Sequence, residues 1–240
     1  MPVQIETRPV SGFSKLRIQG YGEVVLTQGE QESLTIQADT AILQRIRSEV
    51  RAGRLTLGFD LAWWEWITWW ITWMTISDRS IRYQIGMKTV ESLAGEGSLV
   101  LKSGPVLAEG LNLSVSGSAE VEIERIQALK CDIAVSGSSE IGIRQLECGE
   151  LATRIGGSGG IELAGQAGHH TIRVSGSGKI EAQDLETRVT EIHVSGSATA
   201  LVNVVERLAV QISGAGNVRY RGDPQVSQSI TGVGSVTRIT

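Results

Sequence analysis

The chain has 240 residues, of which 41% are hydrophobic and 20% charged, enough for one large domain with a substantial core. Its 22 basic and 26 acidic residues give a formal net charge of −4. Surfaces that bind nucleic acid are basic, so no nucleic-acid partner is expected. With only two cysteines, a small disulfide-stapled scaffold is also excluded. We therefore predict a single domain over residues 1–240.

The amino-terminal segment MPVQIETRPVSGF has neither a basic stretch nor an apolar stretch of the kind found in signal peptides. A cytoplasmic location and an envelope location after removal of a signal both stay open. The sequence contains no run of 18 apolar residues, so no membrane-spanning helix is predicted.

A short phrase of the form Val/Ile-Ser-Gly-Ser recurs along the chain and fixes its architecture. Its clearest copies are VSGSAEVEI, VSGSSEIGI, IGGSGGIEL, VSGSGKIEA, VSGSATALV, ISGAGNVRY and ITGVGSVTR, spaced by 18 to 20 residues. IQGYGEVVL and LAGEGSLVL are interpreted as two earlier copies. We expect a structural corner at the glycine of each copy: Gly20, Gly95, Gly117, Gly137, Gly157, Gly176, Gly196, Gly214 and Gly232.

Apolar residues alternate on both sides of each glycine, which is the period of a β-strand. A small residue follows two positions after it, such as Ala119, Ser139 or Gly159, as expected where stacked coils turn sharply. Repeats of this length that bury alternate side chains on the next coil predict an all-β fold, a right-handed parallel β-helix (β-solenoid) with about 18–20 residues per coil. Residues 34–59 are less regular, with two strands around a short helical turn, and we expect them to cap the rod.

The segments GFSKLRIQGYGEVVLTQGEQESLTIQAD and RAGRLTLGF, followed by the repeated VSGS corners, resemble the autotransporter adhesin head family, also called the GIN domain. The resemblance covers nearly the whole chain except about residues 60–88. It implies a bacterial, envelope-associated β-helical protein with an adhesin-like role. The family has no defined catalytic residues, so the resemblance assigns none here.

Residues 61–76, LAWWEWITWWITWMTI, contain all six tryptophans of the chain and form an insertion in the pattern. As a helix this segment would be about 24 Å long, too short to cross a bilayer. Three interpretations stay open: an anchor in the membrane interface, where tryptophan concentrates, a contact between subunits, and a flap over the solenoid itself. The expected contact residues are Trp63, Trp64, Trp66, Ile67, Trp69, Trp70, Ile71, Trp73 and Met74.

The sequence offers little catalytic chemistry. Glu120 and Glu140 occupy the same outward position in consecutive coils and could share a cation, while serines beside the corners form outward ladders that could contact a glycan. His170 falls at an inward position, and His193 continues an outward ladder of arginines. We expect no catalytic, cofactor-binding or metal site.

The favoured interpretation is a non-catalytic module of the cell envelope or membrane periphery, a homo-oligomer or a protein docked on a membrane surface through residues 61–76. A glycan is a further expected partner class. The alternative is a carbohydrate-active β-helix enzyme or a glycan-binding protein.

Overall fold

The structure, a computed structural model, describes residues 3–59 and 81–239. It consists of sixteen strands and one short helix: β1 Val3–Arg8, β2 Lys15–Gln28, β3 Ser33–Asp39, α1 Thr40–Leu43, β4 Ile46–Arg51, β5 Arg54–Phe59, β6 Arg82–Met87, β7 Ser92–Ser103, β8 Val106–Gly117, β9 Glu120–Gly137, β10 Glu140–Ile155, β11 Gly160–Val174, β12 Lys179–Val194, β13 Ser197–Ile212, β14 Ala215–Arg221, β15 Gln225–Ile230 and β16 Val233–Arg238. The predicted insertion at residues 61–76 lies outside the described residues.

From β7 onward each coil lies on the previous one in parallel register, and the chain forms a β-solenoid of about 7 turns. In the middle of the rod Ile141 lies opposite Val121 on one side and Ile161 on the other. Repeats of near-equal length make this possible, since a constant step brings each apolar residue over its equivalent in the coil before. The repeat length read from the sequence is therefore the length of one turn.

The core is built from columns of alternate residues, as the period of two requires. Ile133, Ile172 and Ile192 occupy one such column and are fully buried. Two pairs of polar side chains interrupt the apolar columns, and each pair is hydrogen-bonded: Thr153 with His170, and Thr187 with Thr190. Bonding within each pair lowers the cost of burying these polar groups.

The amino-terminal end is closed by antiparallel strands. β3 pairs antiparallel with β6, β1 adds to the outer edge of β3, and β4 folds back on β5. Helix α1 begins after Asp39, whose carboxylate accepts from the Ala41 amide, and its Ile42 and Leu43 are buried. These elements are the cap that the irregular segment 34–59 predicted.

Strand β2 lies between two later parts of the chain. One edge of β2 pairs with β5 and β6, and its other edge pairs with β7. The chain must therefore pass across the thickness of one coil between Met87 and Ser92, where the Glu91 amide donates to the Ser14 carbonyl. The spatial order of the first coils thus differs from their order in sequence.

The carboxyl-terminal coil, formed by β15 and β16, exposes apolar side chains, because no further coil in the described part of the chain lies over it. Val226 is 40% exposed, Ile230 37% and Val233 82%. Leu208 and Ile212, the equivalents of Val226 and Ile230 in the previous coil, are buried, whereas Val233 follows the outward and exposed positions of Ser197 and Ala215. Within residues 3–59 and 81–239, no helix has the length and apolar character needed to cross a bilayer.

Candidate functional site

The corner glycines stack into a continuous line along the rod, the glycine ridge. Its members are Gly20, Gly97, Gly117, Gly137, Gly157, Gly176, Gly196, Gly214 and Gly232. The residue after each glycine donates its amide to the previous ridge carbonyl, as Ser158 does to Gly137 at 2.8 Å. Two physical reasons require glycine here. Gly137 has a φ of +91°, which side chains disfavour, whereas a Cβ at Gly157 would collide with the Gly137 carbonyl.

One sequence assignment was wrong by two residues. In the coil of β7 the ridge glycine is Gly97, which lies opposite Gly20 and Gly117, whereas Gly95 lies opposite Val115. The phrase LAGEGS holds two glycines two positions apart. A shift of two residues keeps every side chain on the same face of a strand, so alternation cannot distinguish them.

From Gly117 to Gly214, a small residue two positions after each ridge glycine packs inside the corner. Ser139 is fully buried there, and its hydroxyl accepts from the Ala119 amide at 3.1 Å and donates to the Gly117 carbonyl at 3.2 Å. In the next coil a Cβ on Gly159 would approach the Ser139 carbonyl to 2.5 Å. These corners therefore admit only small side chains, whereas the coil of β7 holds the buried Leu99 at the equivalent position.

A shallow groove of about 1040 Å³ follows the ridge on the side of the strands that leave the corner. We name it the acidic groove, since its walls carry Glu120, Glu122, Glu140 and Glu162. Glu120 and Glu140 are opposite each other in adjacent coils, as their outward positions predicted. Lys179 also lines the groove, and its ammonium group lies 2.9 Å from the Glu181 carboxylate.

A second groove, of about 660 Å³, follows the other side of the ridge, along the strands that enter the corner. We name it the arginine groove. Its outward column runs through Arg154, Arg173, His193 and Gln211 in consecutive coils. A column of hydroxyl side chains lies two residues nearer the ridge: Ser175, Ser195, Ser213 and Thr231. Among the residues that the structure describes, no carboxylate lines this groove.

The hydroxyl column bonds along the rod. Each of these side chains donates to a carbonyl of the previous coil over 3.3 to 3.5 Å, as Ser195 does to Val174. Such bonds are long and weak. The hydroxyl column thus donates hydrogen bonds to the backbone of the previous coil, which is the structural role that turn serines commonly have.

The described residues that flank the tryptophan segment lie at the amino-terminal end of the ridge. Leu57 lies opposite Ile18 and Arg82 opposite Glu23, so the described residues on either side of residues 60–80 lie at the corner that Gln19–Gly22 make in the next coil. Phe59 stacks on Tyr21 with ring centroids 5.2 Å apart. On the other side the Ile81 carbonyl accepts from the Glu23 amide at 2.8 Å. Both ends of the segment are therefore held at one corner.

A family model described as "Putative auto-transporter adhesin, head GIN domain" matches residues 12–141 and 106–224. The chain belongs to the GIN-domain family. Together the two matches run from before the first ridge glycine to β14, and the first match includes the tryptophan segment. Among curated proteins, no sequence relative matches the chain.

Solved structures share the GIN-domain fold. A putative adhesin from Parabacteroides merdae is 21% identical with a TM-score of 0.88, and the alignment covers 99% of this chain and 96% of that one. Two proteins from Parabacteroides distasonis, a putative adhesin and a putative lipid binding protein, are each 21% identical, with TM-scores of 0.87 and 0.83 and coverage of 99% of this chain and 97% of theirs. At this identity the likeness shows the fold alone.

Burial moves the pKa values of three groups inside this GIN domain away from neutrality. Burial lowers the pKa of His170 to about 3, and raises the pKa of the Cys148 thiol to about 11. Cys131 and Cys148 are both free, and burial also raises the pKa of Cys131. Catalytic groups need pKa values near the working pH, so none of these three suits such a role.

Metal-binding chemistry is also missing from the described part of the chain, where no group of three or more His, Cys, Asp or Glu side chains could hold a metal ion. The acidic groove brings Glu120 and Glu140 together without a third ligand of that kind. The sequence did not predict the arginine groove as a site. Its positive charge depends on the absence of carboxylates among the described residues that line it, and only the fold shows which residues these are. The signal available in the sequence was the ladder of Arg154, Arg173 and His193.

Proposed function

We propose that this GIN domain is a rigid, non-catalytic adhesion module of the cell envelope that docks on a lipid surface through residues 61–76. The observation that carries the proposal is the exit point of that segment. Phe59 and Ile81 hold its two ends at one corner, at the amino-terminal end of the glycine ridge. The most apolar stretch of the chain is thereby attached to one end of the rod.

The chemistry of the segment favours lipid as the surface it contacts. Tryptophan concentrates at the boundary between headgroups and acyl chains, and burial of each large apolar side chain contributes about 1.5–3 kcal/mol. Residues 61–76 contain no lysine or arginine. The attraction should therefore be hydrophobic and depend weakly on lipid charge and on salt. A protein of P. distasonis that shares this fold and is described as a putative lipid binding protein gives the proposal further support.

A rod docked at one end suits an adhesin-like role. Stacked coils give stiffness, because each coil is held by the hydrogen bonds of both neighbours. Docking at the amino-terminal end would leave both grooves beside the ridge accessible. The subunit contact that the segment could also form is a competing outcome of the same experiment.

Intrinsic fluorescence tests the docking directly, because all six tryptophans of the chain lie in residues 63–73. The emission of the full chain therefore reports on this segment alone. With vesicles of phosphatidylcholine, alone or mixed with phosphatidylserine, we expect a blue shift and co-sedimentation at both low and high salt. Replacing Trp66, Trp69 and Trp70 by serine should abolish co-sedimentation.

The matched control is Val233→Ser, which removes an exposed apolar side chain at the opposite end of the rod. It should sediment with vesicles as the unaltered chain does. The proposal is wrong if the intact chain ignores both kinds of vesicle, or if the triple serine variant still binds them. Mass measurement completes the test, since an oligomer that ignores lipid and becomes a monomer in the triple variant would identify a subunit contact.

A further inference from the structure

We propose that the arginine groove is a binding site for an anionic polysaccharide, a chain of sugars that carry both hydroxyl groups and carboxylates, lying along the rod axis. The inference rests on the proposed adhesin-like role and deepens it by naming a ligand class. It involves residues remote in sequence from the tryptophan segment.

The chain carries 26 acidic residues, and none of those that the structure describes lines the arginine groove. Across the glycine ridge, the acidic groove carries Glu120, Glu122, Glu140 and Glu162. The two sides of one ridge thus have opposite charge, although the protein as a whole is negative. A local positive field of this kind attracts anions to one groove and repels them from the other.

Arg173 supplies the cation that is open to a ligand. Its neighbour Arg154 lies 2.9 Å from the Asp132 carboxylate, and His193 bonds to Gln211 through a contact of 3.0 Å. Among the described residues Arg173 has no hydrogen-bond or ion-pair partner, and its side chain is exposed. A guanidinium group binds a carboxylate in a fixed, often bidentate geometry.

The hydroxyl column supplies the second kind of contact. Ser175, Ser195 and Ser213 donate weakly to backbone carbonyls, so their oxygens retain lone pairs that can accept from a ligand. A ligand that only accepts, such as a simple carboxylate polymer, would leave these oxygens unused. Sugar hydroxyls donate as well as accept, and they match the column.

The repeat of the groove favours a polymer. Equivalent residues of consecutive coils lie about 4.8 Å apart along the rod, and the two columns are about 7 Å apart across it. The two columns therefore run side by side over β11 to β13, where each coil presents one polar outward side chain and one hydroxyl group. A linear chain can bind such a strip through several weak contacts at once, which raises the overall affinity.

The test measures binding of the full chain to immobilised polygalacturonate, a polymer of sugar carboxylates, without lipid. Neutral dextran and polyacrylate are the comparison polymers, because dextran has hydroxyl groups without carboxylates and polyacrylate has carboxylates without hydroxyl groups. We expect polygalacturonate to bind most tightly and its binding to weaken with salt. Arg173→Gln should weaken that binding about tenfold or more, and Arg173→Lys should restore part of it.

The matched control is Arg144→Gln, which changes the net charge by the same amount at an exposed residue that lines neither groove. It should bind as the unaltered protein does. The proposal is overturned if Arg173→Gln and Arg144→Gln bind equally well, if dextran binds as tightly as polygalacturonate, or if polyacrylate does. Because the polysaccharide assay contains no vesicles, a negative result in it does not bear on lipid docking. Equally, a failure to bind vesicles would not change the interpretation of polysaccharide binding.

Discussion

The buried histidine of β11 should make the stability of this protein sensitive to acid. His170 is fully buried, its Nε2 lies 3.1 Å from the Thr153 hydroxyl, and its Nδ1 has no hydrogen-bond partner in the described part of the chain. Burial lowers its pKa from 6.5 to about 3. His170 is therefore neutral in the folded protein at every pH above that value.

The magnitude follows from proton linkage. Below pH 6.5 the unfolded chain binds a proton at this residue that the folded chain does not bind, so acid favours unfolding. Each pH unit between 6.5 and 3 then removes about 1.4 kcal/mol from the free energy of unfolding. From pH 7 to pH 5 the loss due to His170 alone amounts to about 2 kcal/mol. The loss is complete once the pH falls below about 3.

The perturbation is a double substitution, His170→Leu with Thr153→Val. Both new side chains already occur in the same core columns, as Leu208 and Val210. The double variant replaces a hydrogen-bonded polar pair by apolar residues and leaves neither hydroxyl nor ring nitrogen unpaired. Thr153→Val alone is the control, because it keeps the histidine.

Urea unfolding followed by circular dichroism at pH 7 and pH 5 measures the effect. The unaltered protein should lose about 2 kcal/mol more than the double variant over this range, since the contributions of all other groups cancel in the difference. Thr153→Val alone should lose as much as the unaltered protein. An equal loss in the double variant and the unaltered protein would refute the reasoning.

Three further outcomes follow from the stacked corners and the core. Gly157→Ala should lower the free energy of unfolding by more than about 2 kcal/mol, because the new Cβ would meet backbone atoms. Gly110→Ala, which has open space around it, should change the free energy of unfolding by less than about 0.5 kcal/mol. Equal effects of the two substitutions in urea unfolding would contradict this prediction. Ser139→Ala should cost about 1–3 kcal/mol by leaving a buried amide unpaired, and exposed Ser138→Ala should be close to neutral, so a neutral Ser139→Ala would count against the bond. The two cysteine thiols should resist a disulfide reagent at pH 8 until urea unfolds the protein, and labelling of the native chain would show that burial does not protect them.

The fold was largely predictable because a solenoid repeats one local rule. Alternation marked the strands and the spacing of the VSGS phrase gave the length of a turn, so opposed residues such as Val121 and Ile141 could be paired from their positions in the repeat alone. The same rule failed for Gly95, since Gly97 satisfies it equally well and only the pairing with Gly117 distinguishes the two. Period-two patterns specify faces more strongly than they specify position along a strand.

What the sequence determined by itself was the set of inward side chains, the small residues of the corners and the place where the repeat is interrupted, since each depends on neighbours within a few positions of the chain. What only the tertiary structure decided was the order of the first coils, with β2 between β5–β6 and β7, and the gathering of opposite charges on the two sides of the ridge. These depend on pairing between residues remote in sequence. Arg173 and Glu140 belong to neighbouring turns, and only the path around the ridge places one in each groove.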